Sequence, residues 1–348
     1  MKAAVYFGAR NIRIMDMPEP VPGPDQVVVR VARNGICGSD LHTYVGAASG
    51  GASMHVPGVI LGHEFAGAVE AVGAEVHDVA IGDVVAVAPI EWCGSCFSCT
   101  NSWPHLCRKL ALYGGYREPL HGGLAARVAV SRRSVFPVPE RISAIDASLT
   151  EPLAVALHAA RQAPELAGTT VLVLGSGPIG LGVLQACLAL GADTVVTSDL
   201  SPARRGAALA LGAAAAFNPA VDNVARSTRD FARHGVDVVF DTTAAHAAFN
   251  SGVASLRPRG TMVSVAGWGD LAHVEMGRAM ASEINIRYSM TYEPAIDFPA
   301  TLAMLASGAL DASAMISDHV PLERLVEDGL EELLHHADHH LKILIDPT

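Results

Sequence analysis

The sequence predicts an α/β protein in two parts, a β-rich first domain and then a doubly wound parallel sheet. Two contrasts in pattern carry this. Up to about residue 150, short β-branched or alternating runs are punctuated by Gly and Pro. From about residue 168, apolar strands alternate with helix-period segments, which implies a parallel sheet covered on both faces. The chain of 348 residues is half hydrophobic, long enough for two sizeable cores.

The elements follow in order. Residues 27–31, 67–72 and 84–88 read as strands, set off by Pro18, Pro20, Pro22, Gly23, Pro24, Gly73 and Gly82. An irregular cysteine loop, 93–107, is inserted after them. Residues 170–174 form a strand, 178–190 a helix closed by Gly191, 194–199 a strand, and 202–211 a helix closed by Gly212. Strands follow at 237–241 and 261–265, with helices near 222–233 and 245–255. Residues 298–306 and 322–335 read as helices, and 341–345 as a last strand that returns to the first domain. The domain limits expected are 1–150, 151–291 and 292–348.

The cysteine loop reads C-x2-C-x2-C-x7-C over Cys93, Cys96, Cys99 and Cys107. A closed four-thiolate set is the pattern of a structural zinc. Disulfides are disfavoured, because only 6 cysteines occur and oxidised frameworks belong to short, loop-rich chains. The loop itself is polar and turn-rich, with little apolar surface to hold it, so it needs a staple. A second group, Cys37, His63 and Glu64, has the residue types of a catalytic metal site with an open position. Cys187, in an apolar run, reads as a buried core thiol. His335, His336, His339 and His340 read as a solvated helix face.

Formal net charge is -11, from 24 Lys plus Arg against 35 Asp plus Glu. With no basic block, nucleic acid is not an expected partner. The first twenty residues lack the apolar core of a signal peptide. Residues 168–192 are uncharged and long enough to span a bilayer, but Gly175, Ser176, Gly177 and Pro178 interrupt them as strand, turn and helix. The chain is therefore expected to be soluble and cytoplasmic.

Gly175-Ser176-Gly177-Pro178-Ile179-Gly180 fits G-x-G-x-x-G between a strand and a helix, and Asp199 ends the next strand. That context defines a dinucleotide fingerprint, with the pyrophosphate on the helix N-terminus and the acidic residue on the adenosine ribose. Asp199 favours NAD over NADP by repelling a 2'-phosphate. Arg204 and Arg205 weaken the point, since a nearby Arg can accommodate that phosphate. Ala266, just past the strand at 261–265, completes the expected cofactor contacts.

The segment 62–76, the cysteine loop, the glycine fingerprint and Glu151-Pro152-Leu153 together resemble the zinc-containing medium-chain dehydrogenase superfamily. Within it, the polyol dehydrogenase branch fits best. The resemblance covers essentially the whole chain. It implies a GroES-like catalytic domain joined to a Rossmann domain, two zinc ions per subunit, and a homo-oligomer, dimer or tetramer. It also implies that Cys37 and His63 hold the catalytic zinc, with Glu64 or Glu151 taking the fourth position alternately with water. A hydride would pass to the nicotinamide while the proton leaves through Ser39, the nicotinamide ribose and His42. The expected substrate is a polyol or sugar acid, L-idonate going to 5-keto-D-gluconate in the leading case. The alternatives are sorbitol, galactitol, L-threonine or butanediol, or a non-catalytic zinc-stapled binding protein. The Arg that relatives place after the last Rossmann strand aligns with Thr291, so Arg117, and after it Arg287, become the candidates for holding a substrate carboxylate.

Overall fold

The computed structural model describes residues 1–46, 56–269 and 271–348. Its first large sheet is built on the valine run: Val27, Val29 and Val31 are fully buried. Their strand, Gln26–Gly35, is longer than the sequence marks. It pairs antiparallel with Glu64–Val72, Arg127–Ser131 and Lys342–Asp346. Glu64–Val72 pairs onward with Val84–Val87, and that strand with Val135–Pro137. Ile316–Pro321 lies parallel to Lys342–Asp346 on its other side. The chain's last strand is therefore an interior strand of its first sheet. A smaller sheet of Ile12–Asp16, Lys2–Tyr6 and Val59–Ile60 shares an apolar cluster with Ile36, Ile343 and Ile345.

The second sheet runs in the order Ala215–Phe217, Thr194–Ser198, Thr170–Leu174, Val236–Asp241, Leu256–Ser264, Asn285–Tyr288. All its pairings are parallel. Side chains alternate across a strand, and Thr170–Leu174 shows both faces covered. Val171 and Val173 pack with Leu181 and Leu184 on one side. Leu172 and Leu174 pack with Phe249 and Val253 on the other. Strand order reverses between Thr170–Leu174 and Val236–Asp241, the switch point where open α/β sheets bind ligands. The helix Thr150–Gln162 joins the two parts: Leu153 and Leu157 enter the second domain's core, while Ala154 packs with Ala66 and Ala86 of the first. No helix among the described residues is long and apolar enough to cross a membrane.

Two expected helices are broken. Residues 222–233 hold a short helix, Val224–Ser227, and a 3-10 turn, Thr228–Asp230. Residues 322–335 divide into a 3-10 turn, Leu322–Arg324, a π-helical stretch, Leu325–Glu331, and a short helix, Glu332–His335. Close packing accompanies the second break: a Cβ on Gly329 would come within 2.7 Å of Ile36 Cδ1. Pro294–Ser307, in contrast, starts a turn earlier than expected, because Pro294 suits a first helical position.

Candidate active site and metal centres

Cys37 precedes the helix Gly38–Val45, and its N–H donates to Asp40 Oδ2 at 2.9 Å. His63 and Glu64 stand at the start of Glu64–Val72. One ligand atom from each of Cys37, His63 and Glu64 lies within 4.8 Å of the others. Ser39 Oγ is 3.3 Å from His63 Nε2, and Asp40 Oδ1 is 3.6 Å from His63 Nδ1. Burial opposes a charge on His63, but Asp40, Cys37 and Glu151 more than offset it and raise the imidazole well above its ordinary value. Ser39 and His42 are exposed on the same short helix.

Both Glu64 oxygens are taken by Lys342 Nζ, at 2.8 and 2.6 Å. Nζ also donates to Ile36 O at 3.0 Å. The two side chains are 3% and 1% exposed. Burial works against the Lys342 ammonium, yet the facing Glu64 and Cys37 raise its pKa. Room for this carboxylate comes from Gly35, where a Cβ would lie 2.2 Å from Glu64 Oε2. Glu151, in the first turn of Thr150–Gln162, is buried close enough to feel His63, Glu64 and Lys342. Burial pushes its carboxyl up to about 7, with His63 pulling the other way. The buried Tyr292 hydroxyl faces Glu151, and burial together with that carboxylate raises its pKa well above the ordinary phenol value.

The four loop thiols form a cage. Sulfur–sulfur distances are 4.0 Å for Cys93–Cys99, 3.6 Å for Cys96–Cys99, 3.8 Å for Cys96–Cys107 and 3.5 Å for Cys93–Cys107. A tetrahedral ion with ~2.3 Å Zn–S bonds needs edges of about 3.8 Å. The residues therefore fit zinc. Backbone N–H groups of Ser95 and Cys96 pull the Cys93 thiol down to about 6, favouring the thiolate that a metal takes.

A cavity of about 1090 Å³ opens at the switch point, lined by Gly175, Gly177, Asp199, Arg204, Thr242 and Thr243 among others. Asp199 Oδ2 accepts from Ser176 N at 2.7 Å and Oδ1 from Ser201 N at 2.8 Å. Pro178, Ile179 and Gly180 form the helix start behind this rim. A Cβ on Gly180 would lie 1.9 Å from Gly175 O, so helix and strand pack this closely only with glycine. Ala266 follows Leu256–Ser264, and its N–H donates to Asp241 O at 3.2 Å. Both arginines after Asp199 are engaged by backbone: Arg204 donates to Ala337 O at 2.6 Å, and Arg205 to Asp199 O and Leu200 O at 2.8 Å each.

Comparison with known proteins decides the family. Residues 23–140 match the alcohol dehydrogenase GroES-like domain, and residues 178–307 match the zinc-binding dehydrogenase domain. Sorbitol dehydrogenase of Bacillus subtilis (strain 168) is 34% identical over 358 residues, spanning 100% of this chain and 98% of that protein. The chain belongs to the zinc-binding dehydrogenase family. L-idonate 5-dehydrogenase of Vitis vinifera is 31% identical over 339 residues, 94% of this chain and 90% of that protein. The crystal structure of 2R,3R-butanediol dehydrogenase from Bacillus subtilis matches with a TM-score of 0.90 at 30% identity, covering 100% of this chain and 99% of that one. As a zinc-binding dehydrogenase, the chain is an oxidoreductase acting on CH–OH groups, with zinc and a nicotinamide dinucleotide as cofactors.

The two arginines expected to hold a carboxylate both make contacts within the chain. Arg117 donates to Arg108 O at 3.1 Å and lies over the Tyr116 ring at 5.3 Å. Arg287, on Asn285–Tyr288, donates to Gln162 O at 2.8 Å. Tyr44, the aromatic nearest His42, is buried with its hydroxyl 2.5 Å from Glu331 Oε1. Sequence reasoning missed Lys342, Asp40 and Tyr292. Lys342 had a visible signal, a lone charge in the apolar run Leu341-Lys342-Ile343-Leu344-Ile345. A further group, His105, His158 and Glu293, was also missed. Its members come from three distant segments, and no spacing joins them.

Proposed function

We propose that this zinc-binding dehydrogenase oxidises a secondary alcohol of a neutral polyol with NAD, at a zinc held by Cys37 and His63. The observation that carries the reading is the convergence of Cys37, His63 and Glu64 within 4.8 Å at the head of one strand. A second, structural zinc belongs to Cys93, Cys96, Cys99 and Cys107. When bound, the catalytic zinc supplies a Lewis acid that lowers the pKa of a hydroxyl beside it. Ser39 would take the hydroxyl proton while giving up its own, and the exposed His42 on the same helix would pass a proton on to water. Glu64, held by Lys342, and Glu151, whose carboxyl is pushed up to about 7, would be the carboxylates that complete the hold on that zinc. Gly175, Gly177, Pro178, Ile179 and Gly180 bed the pyrophosphate, with Ala266 near the nicotinamide end. Asp199 holds the adenosine ribose, and the commitment of Arg204 and Arg205 to carbonyls supports NAD over NADP.

The 31% identity with L-idonate 5-dehydrogenase of Vitis vinifera favours a second reading, oxidation of L-idonate. Such a substrate wants an arginine for its carboxylate, and the two candidates, Arg117 and Arg287, each donate to a backbone carbonyl, which favours the neutral polyol. The working unit in this reading is a cytoplasmic homo-oligomer, dimer or tetramer, which sedimentation would size. The deciding experiment follows nicotinamide absorbance with sorbitol, galactitol, 2,3-butanediol, L-threonine and L-idonate, each with NAD and NADP, with and without a chelator. Chelator-sensitive turnover of a neutral polyol with NAD is expected. A higher kcat/KM for L-idonate establishes the second reading, and no turnover of any alcohol overturns both.

A further inference from the structure

His105, His158 and Glu293 lie outside the two zinc sites and take no part in the chemistry above. His105 sits in the 3-10 turn Pro104–Leu106 of the cysteine loop. His158 lies in Thr150–Gln162, and Glu293 caps the helix Pro294–Ser307. One ligand atom from each lies within 4.8 Å of the others. His105 and His158 are 6% and 4% exposed. Their rings meet edge to face with centroids 5.2 Å apart. His105 Nδ1 is buried with no hydrogen-bond partner. His158 Nδ1 is 2.8 Å from Asp297 Oδ2, and Asp297 is held in turn by Arg161 and by the Glu293 N–H at 2.7 Å.

We infer that His105, His158 and Glu293 form a third metal site, for a divalent cation of the zinc class. Two imidazoles and one carboxylate are a known zinc donor set with an open fourth position. A carboxylate behind a ligating histidine fixes its tautomer and orientation, and Asp297 stands there for His158. That leaves His158 Nε2 for the metal. Its present neighbour is Gln162 Nε2 at 3.2 Å, which an incoming ion displaces. The orphaned His105 Nδ1 gains the partner it lacks. An ion here ties the cysteine loop to the helix that carries Glu151 and to the residue after Tyr292, so it stiffens the wall of the active site.

The test uses the full-length protein carrying its two zinc ions. Zn²⁺ is added in equilibrium dialysis and counted by elemental analysis, and Co²⁺ is added in parallel for spectroscopy. Wild type is expected to take up a third equivalent, with rising melting temperature as Zn²⁺ increases. The added Co²⁺ should show d–d bands without the sulfur charge-transfer absorption of the cysteine sites. Glu293→Gln, a near-isosteric change at a half-buried position, should lose the third equivalent while keeping the first two. His105→Asn should do the same, and Gln162→Ala should bind the ion more tightly. The double variant His336→Ala/His339→Ala, altering the exposed C-terminal histidines, should retain it. Wild type that stops at two equivalents overturns the proposal. So does a third equivalent that survives Glu293→Gln and vanishes in the C-terminal double variant.

Discussion

Lys342 and Glu64 are each buried and depend on one another. Removing one partner of such a pair strands a charge, which costs about 3–5 kcal/mol. Lys342→Met should lose stability on that scale in urea unfolding, and the double variant with Glu64→Gln should recover part of it. A double variant no more stable than Lys342→Met would show the two residues uncoupled. Asp199 carries a second prediction. If Asp199 holds the ribose as proposed, Asp199→Ala removes hydrogen bonds to a charged group, worth about 1.5–3 kcal/mol each, and also the repulsion of a 2'-phosphate. The ratio of kcat/KM values should move toward NADP by at least about tenfold. An equal fall for both cofactors would place Asp199 away from the ribose, as a brace of the glycine turn through Ser176 and Ser201. At this scale, the convergence of Cys37 with His63, and of the four loop cysteines, was legible because metal chemistry restricts residue type and local spacing. Glu64's partner was not legible, because 278 positions separate it from Lys342 and only the tertiary fold closes that gap.

Among the elements, the cysteine loop offers the clearest test. Its four sulfurs already sit at tetrahedral edges, so Cys96→Ser opens a closed cage. One zinc should be lost on metal analysis and the melting temperature should fall, while folded molecules keep turning over substrate. The C-terminal elements are joined by His340, whose Nδ1 lies 2.6 Å from Asp318 Oδ2 and whose Nε2 lies 3.1 Å from Glu332 Oε1. Burial disfavours the imidazolium, but these carboxylates raise its pKa above 6.5. That contribution is complete below about 6.5 and is lost as pH rises through the raised value. Asp318 and Glu332 are held below their ordinary values chiefly through His340, so their contribution is lost as pH falls through those lowered values. The melting difference between wild type and His340→Asn should therefore be largest in mildly acidic solution and shrink by pH values well above the raised one; a difference independent of pH would contradict the ion pairs. Strand and helix periods were readable wherever an element is amphipathic or fully apolar. They misled at 322–335, where Gly329 against Ile36 lets the backbone widen into a π-turn that side-chain periodicity does not record.

For the whole molecule, the two-sheet plan was visible in the change of rhythm near residue 168, but the depth to which the last strand enters the first sheet was not. Lys342–Asp346 lies between Gln26–Gly35 and Ile316–Pro321. A chain ending at residue 341 should show fast proteolytic cleavage within 1–150 and slower cleavage within 168–291. Equal protection of both regions would mean that the strand is dispensable. The same placement bears on how the protein is made. The parallel sheet is contiguous in sequence, from Thr170 to Tyr288, and can close while the ribosome is still adding residues. The first domain emerges earlier, yet its interior strand Lys342–Asp346 and the ammonium that faces Glu64 are made only after the whole parallel sheet. Domains ordinarily fold in the order they appear. Here the amino-terminal strands must wait for one made after the parallel sheet, so Val27, Val29 and their neighbours stay uncovered while that sheet is being synthesised.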